Sequence, residues 1–113
     1  LPQASKLPSR KSWIAQALKP KGALIIGEGA QEAIVKNGKS LLAIGVVAVE
    51  GEFQFGDPVR VRNRKKQEIG RGLVNYSASE LGRIKGIPTK EIERVLGYKF
   101  YDEVIHRDDL VVF

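Results

Sequence analysis

The sequence predicts a small, mainly β domain with short helices (α+β), a pseudo-barrel of about six strands with helical decoration at its C-terminal end. Three observations predict it. Short apolar runs follow one another at close spacing, separated by glycine turns. Val59 and Val61 alternate with Arg60 and Arg62, the period of a half-buried strand. From Gly22 on, helical periodicity is confined to one segment near residue 30 and to the last third of the chain.

The elements follow in order. Residues 1–21 hold Pro2, Pro8 and Pro20 with Ser5, Ser9 and Ser12, and read as a linker. Within them Trp13, Ile14, Ala17 and Leu18 fall at helical spacing and form a candidate docking turn. From Gly22 the texture changes, and residues 22–113 read as one domain. Ala23–Ile26 is an apolar run of strand type, turned by Gly27, Glu28 and Gly29. Ala30, Ala33 and Ile34 then mark an amphipathic helix, which Asn37-Gly38 ends because both residues tolerate the left-handed conformation.

A Val-rich strand is expected from Val46 to Glu50. Phe53 and Phe55 stand two apart, so an extended segment sets both rings on one side. Gly56-Asp57-Pro58 is a turn, with Pro58 opening the next strand. Asn63–Lys66 is a polar tip, and Ile69–Val74 returns as a strand. Gly70 and Gly72 within it predict a bulge or a close backbone approach. Ser77-Ala-Ser-Glu80 matches a capping box ahead of Leu81 and Ile84. Pro88-Thr89 opens a further helix with Ile92, Val95 and Leu96 on one face, ended by Gly97. Leu110–Phe113 is a terminal strand.

The chain has 113 residues, room for one domain and a short arm at about 100–200 residues per domain. It has no cysteine and one histidine, which excludes disulfides, thiolate metal sites and a cysteine nucleophile. The longest apolar run, Leu41–Val49, is interrupted by Gly45 and falls well short of the ~20 residues of a membrane span. The chain opens without methionine and without a basic-then-apolar signal, so it is expected to be cut from something longer, in a cytoplasmic setting. The net charge of +6 is unevenly placed. Lys6, Arg10, Lys11, Lys19 and Lys21 sit on the arm with no acid beside them, and the rest of the chain is close to neutral. A basic balance invites nucleic acid, and this distribution weakens the invitation.

Three constellations have both a chemical and a structural reading. His106 among Asp102, Glu103, Asp108 and Asp109 offers a metal site or an acid–base pair. The favoured alternative is a structural histidine among solvated charges, since ligation needs oriented partners. His106-Arg107-Asp108 matches the kinase catalytic-loop triplet, but Phe113 stands where its asparagine belongs. Gly27-Glu28-Gly29 precedes a helix as a phosphate loop would, but Glu32 occupies the third glycine position, so the glycines are read as making the turn. Arg60, Arg62, Arg64, Lys65 and Lys66 form the densest basic cluster of the body. They suit phosphate contact, but the wet face and tip of a strand hairpin is the reading preferred here. No nucleophile, base and orienting group can be assembled, which argues against an independent enzyme.

Several stretches carry a resemblance. Glu28-Gly29-Ala30 opening a helix, Gly38-Lys39-Ser40-Leu41-Leu42, Gly45-Val46-Val47, Val49-Glu50-Gly51-Glu52-Phe53 and Val59-Arg60-Val61 resemble the PUA domain family. Gly27 departs from that pattern, which commonly has an acid there. Arg71-Gly72-Leu73-Val74-Asn75-Tyr76-Ser77, Leu96-Gly97-Tyr98 and Asp102-Glu103-Val104-Ile105-His106-Arg107-Asp108 are similar to the C-terminal region of the bacterial glutamate 5-kinase family. Ser9-Arg10-Lys11-Ser12-Trp13-Ile14 is similar to its junction with the kinase domain.

The resemblance implies a parent enzyme that phosphorylates glutamate with ATP in the first step of proline biosynthesis. ATP and magnesium would then belong to the missing kinase domain, and this chain would hold no catalytic residue, metal or cofactor. Its expected partners are the kinase domain of the same polypeptide, through Trp13 and Ile14, and further copies in a homo-oligomer. The domain's expected role is regulation or assembly. The alternative implied by the PUA resemblance is RNA binding, which by position falls on Lys36, Lys39, Ser40 and Leu42, with Arg60 and Arg62 on phosphates.

Overall fold

The computed structural model describes Ile14 and residues 19–113. Most of the expected linker, Trp13 included, lies outside the described residues.

Apolar alternation builds the sheet. Strand β1 (Gly22–Ile26) sets Leu24 and Ile26 into the core. Strand β3 (Pro58–Arg62) does the same with Val59 and Val61, and Pro58 opens it as expected. These two strands run parallel, Leu24 beside Val61. Strand β2 (Val46–Gly51) pairs antiparallel with the other side of β1. Strand β4 (Glu68–Leu73) pairs with β3, and β5 (Leu110–Val112) pairs with β4. The sheet order is therefore β2-β1-β3-β4-β5. Among the described residues it has five strands rather than about six. A single antiparallel bridge between Leu41 and Ile105 supplies a further pairing on the far side. It grows no longer because Leu42 leads at once into the 3-10 turn Ala43–Gly45.

Three short helices close the core. Helix α1 (Glu28–Asn37) buries Ile34 and stops at Gly38, whose φ of 61° is the left-handed conformation expected of a C-terminal glycine. Helix α2 (Ala78–Ile84) begins with the full capping box. The Ser77 Oγ accepts from the Glu80 N–H, and Glu80 Oε1 accepts from the Ser77 N–H at 2.7 Å. Its Leu81 and Ile84 are fully buried. Helix α3 (Ile92–Leu96) follows a 3-10 turn at Thr89–Glu91 and ends at Gly97.

Gly70 and Gly72 mark a close backbone approach, and the pairing also carries a bulge beside them. A methyl on Gly70 would collide with the Val111 carbonyl oxygen. One on Gly72 would meet Ile105 Cγ2 at 2.7 Å. The phenylalanine pair departs from expectation. Phe53 is buried at 2% exposure, and Phe55 is exposed at 54%. The Asp57 carboxylate accepts from the Gln54 N–H at 2.9 Å and the Asp57 N–H returns to the Gln54 carbonyl. That turn ends the extended segment before Phe55, so the two rings part. No helix among the described residues is long and apolar enough to cross a membrane.

Candidate functional site

The parallel pairing of β1 with β3 creates the main surface feature. Ile25 stands beside Arg62, and two residues further along each strand the chain reaches Gly27 and Arg64. Asn63 holds this tip. Its Oδ1 accepts from the N–H groups of Lys65 and Gln67, and its Nδ2 donates to Gln67 Oε1 at 2.9 Å. Buried by these bonds, Asn63 turns Arg64 outward. The 3-10 turn Ala43–Gly45 meanwhile buries Ala43 and exposes Leu42 and Ile44.

Between them runs a groove of about 520 Å³. Its floor is made of small residues, Gly27, Gly29, Ala30, Ala33 and Gly45. Leu42, Ile44 and Val47 form an apolar wall, and Lys39, Ser40 and Arg64 add polar groups. Lys39 and Arg64 have no ion-pair partner among the described residues. Such a slot admits a flat or extended apolar group and offers two cations to an anion beside it.

The structure brings three of the sequence-predicted residues to this groove and leaves three outside it. Lys39, Ser40 and Leu42 line it. The Ser40 Oγ also accepts from the Arg107 N–H at 2.8 Å, so it ties the groove to the C-terminal segment. Lys36 lines a separate shallow hollow with Glu28, Gln31 and Glu32, 3.8 Å from the Glu32 carboxylate. Arg60 and Arg62 project from the sheet face opposite the core. Arg60 lies 3.7 Å from Glu68, and Arg62 lies 3.4 Å from Glu50. The basic cluster is thus largely paired with acids, and Arg64 is the member that reaches the groove. Sequence reasoning passed over Ile44 and Val47 because they sit in the apolar run Leu41–Val49, which reads as buried. Only Gly45 signalled that the run breaks.

His106 makes a local backbone contact. Its Nδ1 accepts from the Asp108 N–H at 3.1 Å and caps the 3-10 turn Arg107–Asp109. No group of three His, Cys, Asp or Glu that could hold a metal occurs among the described residues. Gly27 caps α1 with no side-chain bond and donates its N–H to the Gly45 carbonyl, as a turn residue does.

A second surface is aromatic. Phe55 stacks on Tyr101 at 5.7 Å, and Tyr98 meets Phe100 at 4.9 Å. All four rings are exposed. The Tyr98 hydroxyl donates to Glu80 Oε2 at 2.6 Å. Burial alone would raise the Glu80 carboxyl, but the bonds from Tyr98 and Ser77 outweigh it and hold its pKa below the ordinary value.

The model of one family, described as the PUA domain, matches residues 22–96. The chain belongs to the PUA domain family. Among solved structures, a PUA domain from Aeropyrum pernix K1, in complex with tartrate, superposes with a TM-score of 0.56 at 25% identity. The match covers 76% of this chain and 41% of that one. A conserved PUA domain protein from Thermoplasma acidophilum shares the fold, with a TM-score of 0.52 at 22% identity over 88% of this chain and 57% of that one.

The chain is also 55% identical over 112 residues to the glutamate 5-kinase of Thermoanaerobacter sp. (strain X514), and 52% identical over 112 residues to that of Geobacter sulfurreducens. Each match covers 99% of this chain and 30% of the relative, in its C-terminal region. The chain thus spans under a third of the length of these relatives.

Proposed function

We propose that this PUA domain is the C-terminal, non-catalytic module of a glutamate 5-kinase and serves its regulation or assembly. The observation that carries the reading is identity of 55% sustained over 99% of the chain. In that reading the parent transfers a phosphoryl group from ATP to the side-chain carboxylate of glutamate, entering proline biosynthesis in the cytoplasm. ATP and magnesium are held by the preceding kinase domain. Phosphoryl transfer needs a phosphate cradle, a positioned metal and charge clamps, and this reading assigns all of them to that domain. The kinase domain of the same polypeptide is the module's partner, within a homo-oligomer.

The test is the full-length enzyme with and without residues 22–113. Altered effector inhibition or subunit assembly, with turnover retained, supports the reading. Unchanged kinetics, inhibition and assembly would overturn it.

A second reading is RNA binding, favoured by Lys39 and Arg64 beside the apolar groove, neither with an ion-pair partner among the described residues. Groove binding predicts that Lys39→Ala and Arg64→Ala each weaken the affinity for a single-stranded RNA and reduce its salt dependence. A variant with Lys6, Arg10 and Lys11 replaced by serine separates the groove from the arm. Binding lost with the arm charges and kept in the groove variants would remove this reading.

A further inference from the structure

The aromatic surface is held in place from beneath. Its four rings, Phe55, Tyr98, Phe100 and Tyr101, are 39–58% exposed. Tyr76, fully buried, joins the two pairs. Its ring lies 6.1 Å from that of Phe100, and its hydroxyl accepts from the Tyr101 N–H at 3.1 Å. Tyr98 is tied to Glu80 in the capping box, and Lys99 Nζ stands 2.9 Å from the Asp102 carboxylate. The segment after α3 thus presents three rings to water in fixed orientations. Rings already fixed lose little freedom when they are covered, which favours association. Phe and Tyr are enriched at the centre of protein interfaces, and contiguous exposed apolar surface marks such a site.

Charge selects the class of partner. Glu80 holds Tyr98, and Asp102 holds Lys99. Glu103 and Asp108 line the hollow beside Phe55 and Tyr101. Carboxylates around the rings repel phosphates, where a nucleic-acid platform sets cations. The surface therefore fits another protein, apolar at the centre of the contact and polar at its rim.

Position selects which protein. Strands β1 and β3 run parallel, so both begin at the same end of the sheet. The chain enters there, where the Lys21 N–H donates to the Pro58 carbonyl at 2.8 Å. Phe55 precedes Pro58 by three residues, a span of at most about 11 Å. The Gly56 N–H donates to the Val74 carbonyl at 2.7 Å, and the Asn75 N–H donates to the Val104 carbonyl at 2.8 Å. These bonds gather the Phe55 loop and the segment from Tyr101 onward at the end where the polypeptide enters. In the glutamate 5-kinases the match covers 30% of the length, in the C-terminal region, so most of each relative precedes this entry.

We infer that the surface formed by Phe55, Tyr98, Phe100 and Tyr101 is the seat of the kinase domain that precedes it in the same polypeptide. The inference rests on the reading of this chain as the C-terminal module of a glutamate 5-kinase, and it names the face through which the module meets its enzyme. The groove lined by Lys39 and Arg64 shares none of these residues, so docking leaves it open.

The test uses the full-length enzyme with a photocrosslinker in place of one exposed ring, Phe55→p-benzoylphenylalanine or Phe100→p-benzoylphenylalanine. After irradiation, mass spectrometry locates the crosslinked residue. The expected result at both positions is a crosslink within one polypeptide to a residue of the kinase domain. A crosslink to a second chain, a crosslink to RNA, or none at either position overturns the inference.

The bulky probe can itself disturb a contact, so hydroxyl-radical labelling of the unsubstituted enzyme is the second measurement. Covered rings are expected to lose modification at Phe55 and Phe100 severalfold between the urea-unfolded and native enzyme. A loss of only about half, in line with the exposure of these rings in the isolated module, overturns the inference. Glutamate phosphorylation is assayed on the same samples. An active kinase with uncovered rings removes this surface and leaves the parent's activity standing. A full-length protein that covers the rings but does not phosphorylate glutamate removes the proposed activity and leaves the docking surface.

Discussion

Glu50 and Arg62 meet at 3.4 Å across a strand that separates them. Glu50 lies on β2 and Arg62 on β3, with β1 between. The register places Glu50 beside Ala23 and Arg62 beside Ile25, so the pair crosses β1 diagonally above two apolar side chains. Lys66 Nζ approaches the same carboxylate at 4.0 Å. Both members are partly exposed, and water screens the attraction. Glu50→Gln is expected to cost about 0.5 kcal/mol in urea unfolding at low salt. In roughly 1 M NaCl the difference between variant and wild type should vanish.

Gly70 and Gly72 allow β5 and the residues before it to lie against β4. Gly70→Ala drives a methyl into the Val111 carbonyl, and Gly72→Ala drives one to 2.9 Å from the Asp109 carbonyl. Backbone atoms cannot swing aside as a side chain can. Each substitution should destabilise by about 1–3 kcal/mol, the usual cost of overpacking. Amide exchange at Val111 and Val112 should accelerate more than exchange in β1.

Tyr76 pins the segment after α3. Its hydroxyl donates to the Tyr101 carbonyl at 2.5 Å and accepts from the Tyr101 N–H at 3.1 Å. Tyr76→Phe keeps the buried ring and removes both bonds. A loss of about 1–2 kcal/mol is expected, because two backbone groups lose their partner. Faster proteolysis within residues 97–103 than in the wild type is the accompanying readout.

Glu80 links the capping box to Tyr98, and its carboxyl is held below the ordinary value of 4.5. A depressed carboxyl stabilises the fold at pH above the unfolded value, and the contribution is lost as pH falls through the folded one. The wild type should therefore lose stability below about pH 4.5 more steeply than Glu80→Gln does. Equal slopes on the acid side would show that the bonds to Tyr98 and Ser77 carry no such share. Ser77→Ala removes the other half of the box and should cost about 1 kcal/mol at neutral pH.

The elements were legible where local chemistry decides them. Asn37-Gly38 stops α1 because a left-handed residue is needed there. Ser77 and Glu80 begin α2 because they satisfy each other's backbone groups. Val59 and Val61 alternate with arginines because one side of β3 faces the core and the other faces water. Phe53 and Phe55 were misread because a carboxylate two residues beyond Phe55 turns the chain. Spacing alone does not register that hydrogen bond.

The candidate site was half legible. Lys39, Ser40 and Leu42 follow α1 directly, so their position could be carried over from the family pattern. Arg64 could not, since it reaches the groove only through the parallel pairing of strands distant in sequence. Arg60 and Arg62 look like free cations in the sequence and are paired in the fold. Their acids, Glu68 and Glu50, arrive from neighbouring strands.

By itself the sequence determined the strand and helix chemistry, the absence of thiol chemistry and the family. These rest on residue types and on neighbours within a few positions. Tertiary structure alone decided which cations are paired with acids and which members of an apolar run turn outward. Each of those depends on strand order and register, which bring residues dozens of positions apart to within a few ångströms.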